Sequence, residues 1–203
     1  MRLYTLFERC LKIPYVHLHG GLDYAICRRG REAELYLEAS DGGEDWRRNL
    51  DFPAVAYRRG GKPVFYAHRG FLKAHAALTP ILDALIAEEG LTALTLVGYS
   101  HGAALALLSY EYVGYHRPGL PLFGVGFGAP RVLFGPCRRE MKERLAGFTV
   151  VRNIDDIVTH LPPAALGYYH VGELVTVGAR GRYSRVDAHR PENILCELAR
   201  AGI

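Results

Sequence analysis

Hydrophobic and polar positions along the 203-residue chain fall into short runs of two different periods. AELYLEAS, residues 33–40, alternates apolar and polar positions as a half-buried strand does. The longer stretch AICRRGREAELYL predicts a hairpin turning at Arg29-Gly30. FLKAHAALTPILDALIAEEG, residues 71–90, carries helical periodicity up to Gly90, and Pro80 should kink it or divide it in two. LTALTLV then reads as a buried strand, Gly98 as a turn, and HGAALALLSYEYVGY as a helix ending before Pro118. LFGVGFGAP and FTVVRN read as two further buried strands, and HVGELVTVG as a last, more exposed one. RPENILCELARAG predicts a closing helix, with Pro191 in its first turn and Gly202 as its stop. Strands alternating with helices predict an α/β fold, a central mostly parallel sheet flanked by helices. The length fits one domain over residues 1–203.

Composition narrows the class. With 49% apolar and 23% charged residues the chain resembles a soluble globular enzyme. No apolar run approaches the ~18 residues that span a bilayer, so no transmembrane segment is expected. Arg2, Glu8, Arg9 and Lys12 interrupt the first stretch, which lacks the apolar core of a secretory leader; a cytoplasmic location is the expectation. Cys10, Cys27, Cys137 and Cys196 lie far apart, with neither a C-x-x-C pair nor Cys/His metal spacing. They read as reduced packing residues, and neither a metal nor an organic cofactor is expected. The net charge is +4. The basic clusters CRRGR and CRREMKER read as solvated faces, with transient attraction to an anionic lipid surface as the functional alternative. Acidic residues are scattered among the basic ones, and no aromatic-and-basic interleaving marks a nucleic-acid platform.

The chemistry concentrates at Gly98-Tyr99-Ser100-His101-Gly102, a G-x-S-x-G between an apolar strand and an apolar helix. A strand that turns abruptly into a helix holds the serine at a strained position, and side chains on either flank would collide. Gly98 and Gly102 remove those side chains, exposing the serine hydroxyl at a helix N-terminus that favours developing negative charge. Adjacent residues on such an elbow diverge. His101 is therefore expected to serve through its main-chain N–H as an oxyanion donor, and the base to come from later in the chain. VVRNIDDIVTHLPP offers Asp155 and Asp156 at the end of a buried strand, pointing in different directions so that only one can orient a histidine. Of the histidines that follow, His160, His170 and His189, the last sits in a loop before the closing helix and is the best placed.

Four stretches in order resemble the class 3 (fungal-type triacylglycerol) lipases: YAHRGFL, LTLVGYSHGAALALL, GFGAPRV and NIDDIVTHLPP. The likeness runs from about Glu38 to the C-terminus and implies an α/β-hydrolase fold with a minimal lid. It places Ser100 as nucleophile, Asp156 as acid and His189 as base. It aligns EASDGGEDW with the family's second oxyanion segment, so that Ser40 joins His101 as donor. The stretch matching the lid, GGEDWRRNLDF, is rich in charge, with Trp46, Leu50 and Phe52 as its bulky apolar groups. Strong interfacial activation is not expected from so polar a cover. The chain departs from the family at Glu38-Ala39, usually Arg-Gly, at His101, usually apolar, and at Thr159, usually proline. His19-Gly20-Gly21 resembles the oxyanion loop of another esterase group, without the preceding strand that loop requires.

The resemblance implies a serine carboxylic-ester hydrolase acting on acyl or lipid esters through an acyl-enzyme. Two rival readings remain at this point. One is a catalytically inactive lipase-fold interaction protein, for which Glu38-Ala39 speaks; the other is a thioesterase or acyltransferase using the same triad.

Overall fold

The computed structural model describes residues 2–18, 22–39 and 53–203. Its first helix, α1 (Leu3–Lys12), presents Leu6, Phe7 and Cys10 on one buried stripe. Three strands follow, β1 (Val16–Leu18), β2 (Leu22–Arg29) and β3 (Glu32–Ala39), paired antiparallel in that order. The β2–β3 hairpin turns through Gly30-Arg31, one residue later than the pattern predicts, with Arg29 facing Glu32. Gly30 takes the positive φ of +60° that the tight turn needs.

A second hairpin, β4 (Ala54–Arg59) and β5 (Lys62–His68), lies outside this sheet. The long helical stretch is split as Pro80 requires, into α2 (Arg69–Ala76) and α3 (Thr79–Ala87), bent by 56°. The second piece stops at Ala87, before Gly90. Then come β6 (Ala93–Tyr99), α4 (His101–His116) and β7 (Leu122–Phe127). After the short β8 (Leu133–Phe134) come α5 (Arg138–Arg144) and β9 (Phe148–Asn153). The chain closes with β10 (Tyr168–Tyr169), β11 (Glu173–Val177) and α6 (Pro191–Ala201), which ends at Gly202 in the left-handed region.

The main sheet has the order β1-β2-β3-β6-β7-β9-β11, and every pair from β3 to β11 is parallel. A smaller sheet, β10-β8-β5-β4, is antiparallel throughout. Strand alternation divides the apolar residues between two cores. Leu35, Leu37, Leu94 and Leu96 face one side, with α4 and the smaller sheet's Phe65. Tyr36, Val97, Val125, Phe127 and Val151 face the other, covered by α1 and α6 through Phe7, Ile194 and Leu198. Helix α4 is apolar almost all round and buried from Gly102 to Glu111, as a helix packed on several sides must be. Among the described residues no single helix is long and apolar enough to cross a membrane.

Candidate active site

The parallel strands end on one edge of the sheet, and the candidate residues follow directly from those ends. Ser100 succeeds β6, Gly128 succeeds β7, Asp156 lies just beyond β9, and the segment after β11 carries His189. The ladder extends into these connections: Ser100 N–H donates to the Phe127 carbonyl (2.9 Å), Gly128 N–H to Val151 (2.8 Å) and Ile154 N–H to Val177 (2.9 Å). The segments bearing Ser100 and Asp156 are thereby held by backbone bonds as well as by packing.

At the elbow Ser100 has φ 54° and ψ −118°, the one non-glycine positive φ among the described residues. L-residues resist this region, at a cost of order 1–3 kcal/mol, and it persists only where the surroundings impose it. Here they do. A Cβ on Gly98 would stand 2.2 Å from the Gly102 carbonyl oxygen, and one on Gly102 would stand 2.0 Å from that of Leu37. Both glycines of the pentapeptide are therefore demanded by contact between backbones. His101 opens α4, and its amide lies in the first helical turn, where N–H groups lack an intrahelical acceptor. The carbonyl of Ser100 accepts from the N–H groups of Ala103 (3.1 Å) and Ala104 (3.4 Å). The imidazole of His101 turns away to pack on Phe71, ring centroids 5.3 Å apart.

The structure brings Ser100, His189 and Asp156 into one line. His189 Nε2 is 2.8 Å from Ser100 Oγ, and His189 Nδ1 is 2.8 Å from Asp156 Oδ2. Asp156 is fully buried, and its other oxygen accepts from Val158 N–H at 2.8 Å. A carboxylate only accepts, so Nδ1 carries the imidazole proton and Nε2 is left to accept from the serine hydroxyl. Asp155 points elsewhere, accepting from Gly181 N–H (2.6 Å) and tying the acid-bearing segment to the one that leads to His189. Ile157 N–H reinforces the tie by donating to the Arg185 carbonyl at 3.1 Å.

The other two histidines support the acid segment. His160 Nδ1 donates to the Asp156 carbonyl (2.8 Å) and His170 Nε2 to the Thr159 carbonyl (2.7 Å). Burial pushes the His170 pKa down to about 4, so it stays neutral there. Arg131, from the GFGAPRV stretch, donates through its guanidinium to the carbonyls of His160 and Pro162. His68, from YAHRGFL, caps α2: its Nδ1 accepts from the N–H groups of Gly70 (3.1 Å) and Phe71 (3.4 Å). The family-like segments thus hold loops or helix ends around Ser100, Asp156 and His189. Ser40, Trp46, Leu50, Phe52 and the His19-Gly20-Gly21 stretch lie outside the described residues.

Two neighbours of His189 are not among the residues expected from the sequence. Gly128 packs against the imidazole, and Tyr99 donates its hydroxyl to the His189 carbonyl at 2.6 Å. Tyr99 occupies the free position of G-x-S-x-G, where the pattern names no residue type. Gly128 stands inside GFGAPRV, where a glycine directly after a buried strand and ahead of a proline could have marked a close approach. Cys10, Cys27 and Cys196 are free thiols, and burial pushes the Cys10 thiol up to about 12, which fits a packing role. Among the described residues no group of His, Cys, Asp and Glu could hold a metal ion.

With this geometry in hand, comparison with known proteins identifies the fold and the family. The chain superposes on triacylglyceride lipase from Rhizomucor miehei with a TM-score of 0.66 at 25% identity, over 81% of this chain and 65% of that one. It superposes on a lipase from Rhizopus microsporus var. chinensis with a TM-score of 0.67 at 21% identity, over 81% and 60%. The architecture is the α/β-hydrolase fold. In sequence the chain is 31% identical to phospholipase A1-II 4 of Oryza sativa subsp. japonica over 166 residues, 67% of this chain and 41% of that protein. It is 30% identical to a lipase of Rhizomucor miehei over 169 residues, 73% of this chain and 43% of that protein. The chain therefore spans less than half the length of these two relatives. The model of the family Lipase (class 3) matches residues 35–166, from β3 past Ser100 and Asp156 and ending short of His189. This chain belongs to the class 3 lipase family.

Proposed function

We propose that this protein hydrolyses carboxylic esters, with Ser100 as nucleophile, His189 as base and Asp156 as its orienting acid. One observation carries the reading: the unbroken relay Ser100 Oγ–His189–Asp156, with both links at 2.8 Å. As Oγ attacks the ester carbonyl, Nε2 takes its proton, and buried Asp156 stabilises the imidazolium and fixes its tautomer. The main-chain N–H of His101 meets the oxyanion at the positive end of α4, and Ser40 supplies the second donor. The leaving alcohol departs with the proton from His189. Water, deprotonated by the same imidazole, then releases the acid from the acyl-serine.

The substrate we infer is an acyl or lipid ester, in keeping with relatives that include a lipase and a phospholipase A1. The polar stretch around Trp46, Leu50 and Phe52 makes this an enzyme that needs little interfacial activation, its contact with lipid surfaces being transient. The decisive experiment is hydrolysis of esters graded from acetyl to long-chain, below and above their solubility limits, by the wild type and Ser100→Ala. Loss of turnover in Ser100→Ala, and of its labelling by a fluorophosphonate, is the expected result. Full activity in that variant would overturn the assignment. Turnover restricted to thioesters, or diverted to added alcohol acceptors, would move the reaction to another acyl transfer.

A further inference from the structure

We propose that Tyr99 is a positioning residue for the base, fixing the His189 imidazole relative to the nucleophile that follows Tyr99 in the chain. The inference rests on the triad proposed above and deepens it. Three contacts carry it. The Tyr99 hydroxyl donates to the main-chain carbonyl of His189 at 2.6 Å. Its ring lies on the imidazole of the same residue, centroids 5.2 Å apart and planes inclined by 22°. Behind it stands Phe7, whose centroid is 5.4 Å from that of Tyr99, and Phe7 is itself stacked on Phe127 at 4.4 Å. A file of aromatic rings therefore runs from the core of the sheet to the base.

The base is held in this way at both its backbone and its ring by one side chain. That side chain is joined to Ser100 by a single peptide unit, so the Oγ-to-Nε2 distance is set across a very short mechanical path. No other hydrogen bond among the described residues joins the His189 main chain to the elbow. Gly181 and Arg185 tie the segment before His189 to the loop of Asp155 and Ile157 further back, whereas the backbone bonds nearest His189, Ala188 N–H to the Ser184 carbonyl and His189 N–H to the Val186 carbonyl, are local to the turn. Burial pushes the Tyr99 hydroxyl well above the usual tyrosine range, with the Asp156 charge adding to the effect, so it remains a donor.

The test compares Tyr99→Phe and Tyr99→Leu with the wild type on a soluble short-chain ester. It also follows the proton on His189 Nδ1 by NMR. Tyr99→Phe keeps the ring and its packing on Phe7 and loses the hydrogen bond. We expect its kcat to fall about tenfold with KM unchanged, and its Nδ1 proton resonance to broaden. Tyr99→Leu should fall by about a further tenfold with KM again unchanged, because the imidazole also loses the ring face that orients it. If Tyr99→Leu does not fold, Tyr99→Phe carries the test alone. Wild-type kcat in Tyr99→Phe, with an unchanged resonance, would overturn the proposal. Retained esterase activity in Ser100→Ala would instead remove the triad reading, and the resonance would still report whether Tyr99 orders His189.

Discussion

Gly128 and His189 approach so closely that a Cβ on the glycine would stand 2.8 Å from Cε1 and 3.0 Å from Nδ1 of the imidazole. It would also lie 3.3 Å from the Asp156 carboxylate, and the glycine's φ of +59° disfavours any L side chain. Gly128→Ala should therefore push the imidazole out of line. A displacement of about 1 Å at a reacting group costs about 10²-fold in rate, and kcat on a soluble ester should fall by that order. Urea melts should show a much smaller change, of about 1–2 kcal/mol.

Asp156→Asn tests the acid. The carboxamide oxygen can still accept from Val158 N–H, as Oδ1 does at 2.8 Å, so the loop should keep its shape. What changes is the partner of Nδ1, which can now meet a donor and favour the wrong tautomer. We expect kcat to fall by about 10³–10⁴-fold with an unchanged melting temperature. Burst kinetics with an activated ester would show slowed acylation.

Glu111 provides a stability test remote from the chemistry. It is buried on α4, roughly 16 Å along the helix from Ser100 at ~1.5 Å per residue. Arg59 and Arg144 both pair with it, the latter at 2.7 Å, and the Arg59 guanidinium lies 3.7 Å over the Tyr115 ring. Glu111→Gln removes the buried charge shared by the two guanidiniums, leaving Arg144 with Glu140 at 2.8 Å and Arg59 without its carboxylate, and should cost about 3 kcal/mol in urea unfolding. At temperatures where the variant is folded, kcat should equal that of the wild type.

Stability should also decline in mild acid, for a reason separate from the triad. Burial lowers the pKa of His75 and of His170 from 6.5 to about 4. Between those values the unfolded chain holds more protons than the native one, so stability rises with pH in that window. Going down from pH 6.5 towards 4, each histidine should withdraw stability, about 3 kcal/mol when the window has been crossed. Urea midpoints measured at about pH 7 and about pH 4.5 would show the decline, and His75→Phe, which keeps a ring beside Tyr112, should halve it.

The legibility of the sequence was uneven for identifiable reasons. The elbow was readable because sterics leave few residue types there, and the contacts of Gly98 and Gly102 show how tight the restriction is. The split at Pro80 was readable because a missing N–H and a fixed φ act locally. The hairpin of β4 and β5 is not among the expected elements, although Gly60-Gly61, both at positive φ, is a strong turn signal between alternating residues. In helix α1 the charges dominate the local pattern, and the stripe Leu6, Phe7, Cys10 gains meaning only with a sheet to cover. That the base lies after Ser100, with His189 the best placed, follows from the elbow, whereas the choice of Asp156 over Asp155 rests on the family resemblance. The grip of Tyr99 on a residue ninety positions later depends on a fold that juxtaposes them, and no local rule encodes that.

The burial of α4 also sets the order in which the molecule should come apart. Residues Gly102 to Glu111 have no face towards solvent, so their amides can exchange with deuterium only when the whole domain opens. Residues 178–187, which lead to His189, are mostly exposed and should open in smaller, earlier fluctuations. Warming would then loosen His189, the proposed base, while Ser100 stays clamped. Activity would fade reversibly some degrees below the unfolding transition, leaving a folded protein whose serine is in place and idle.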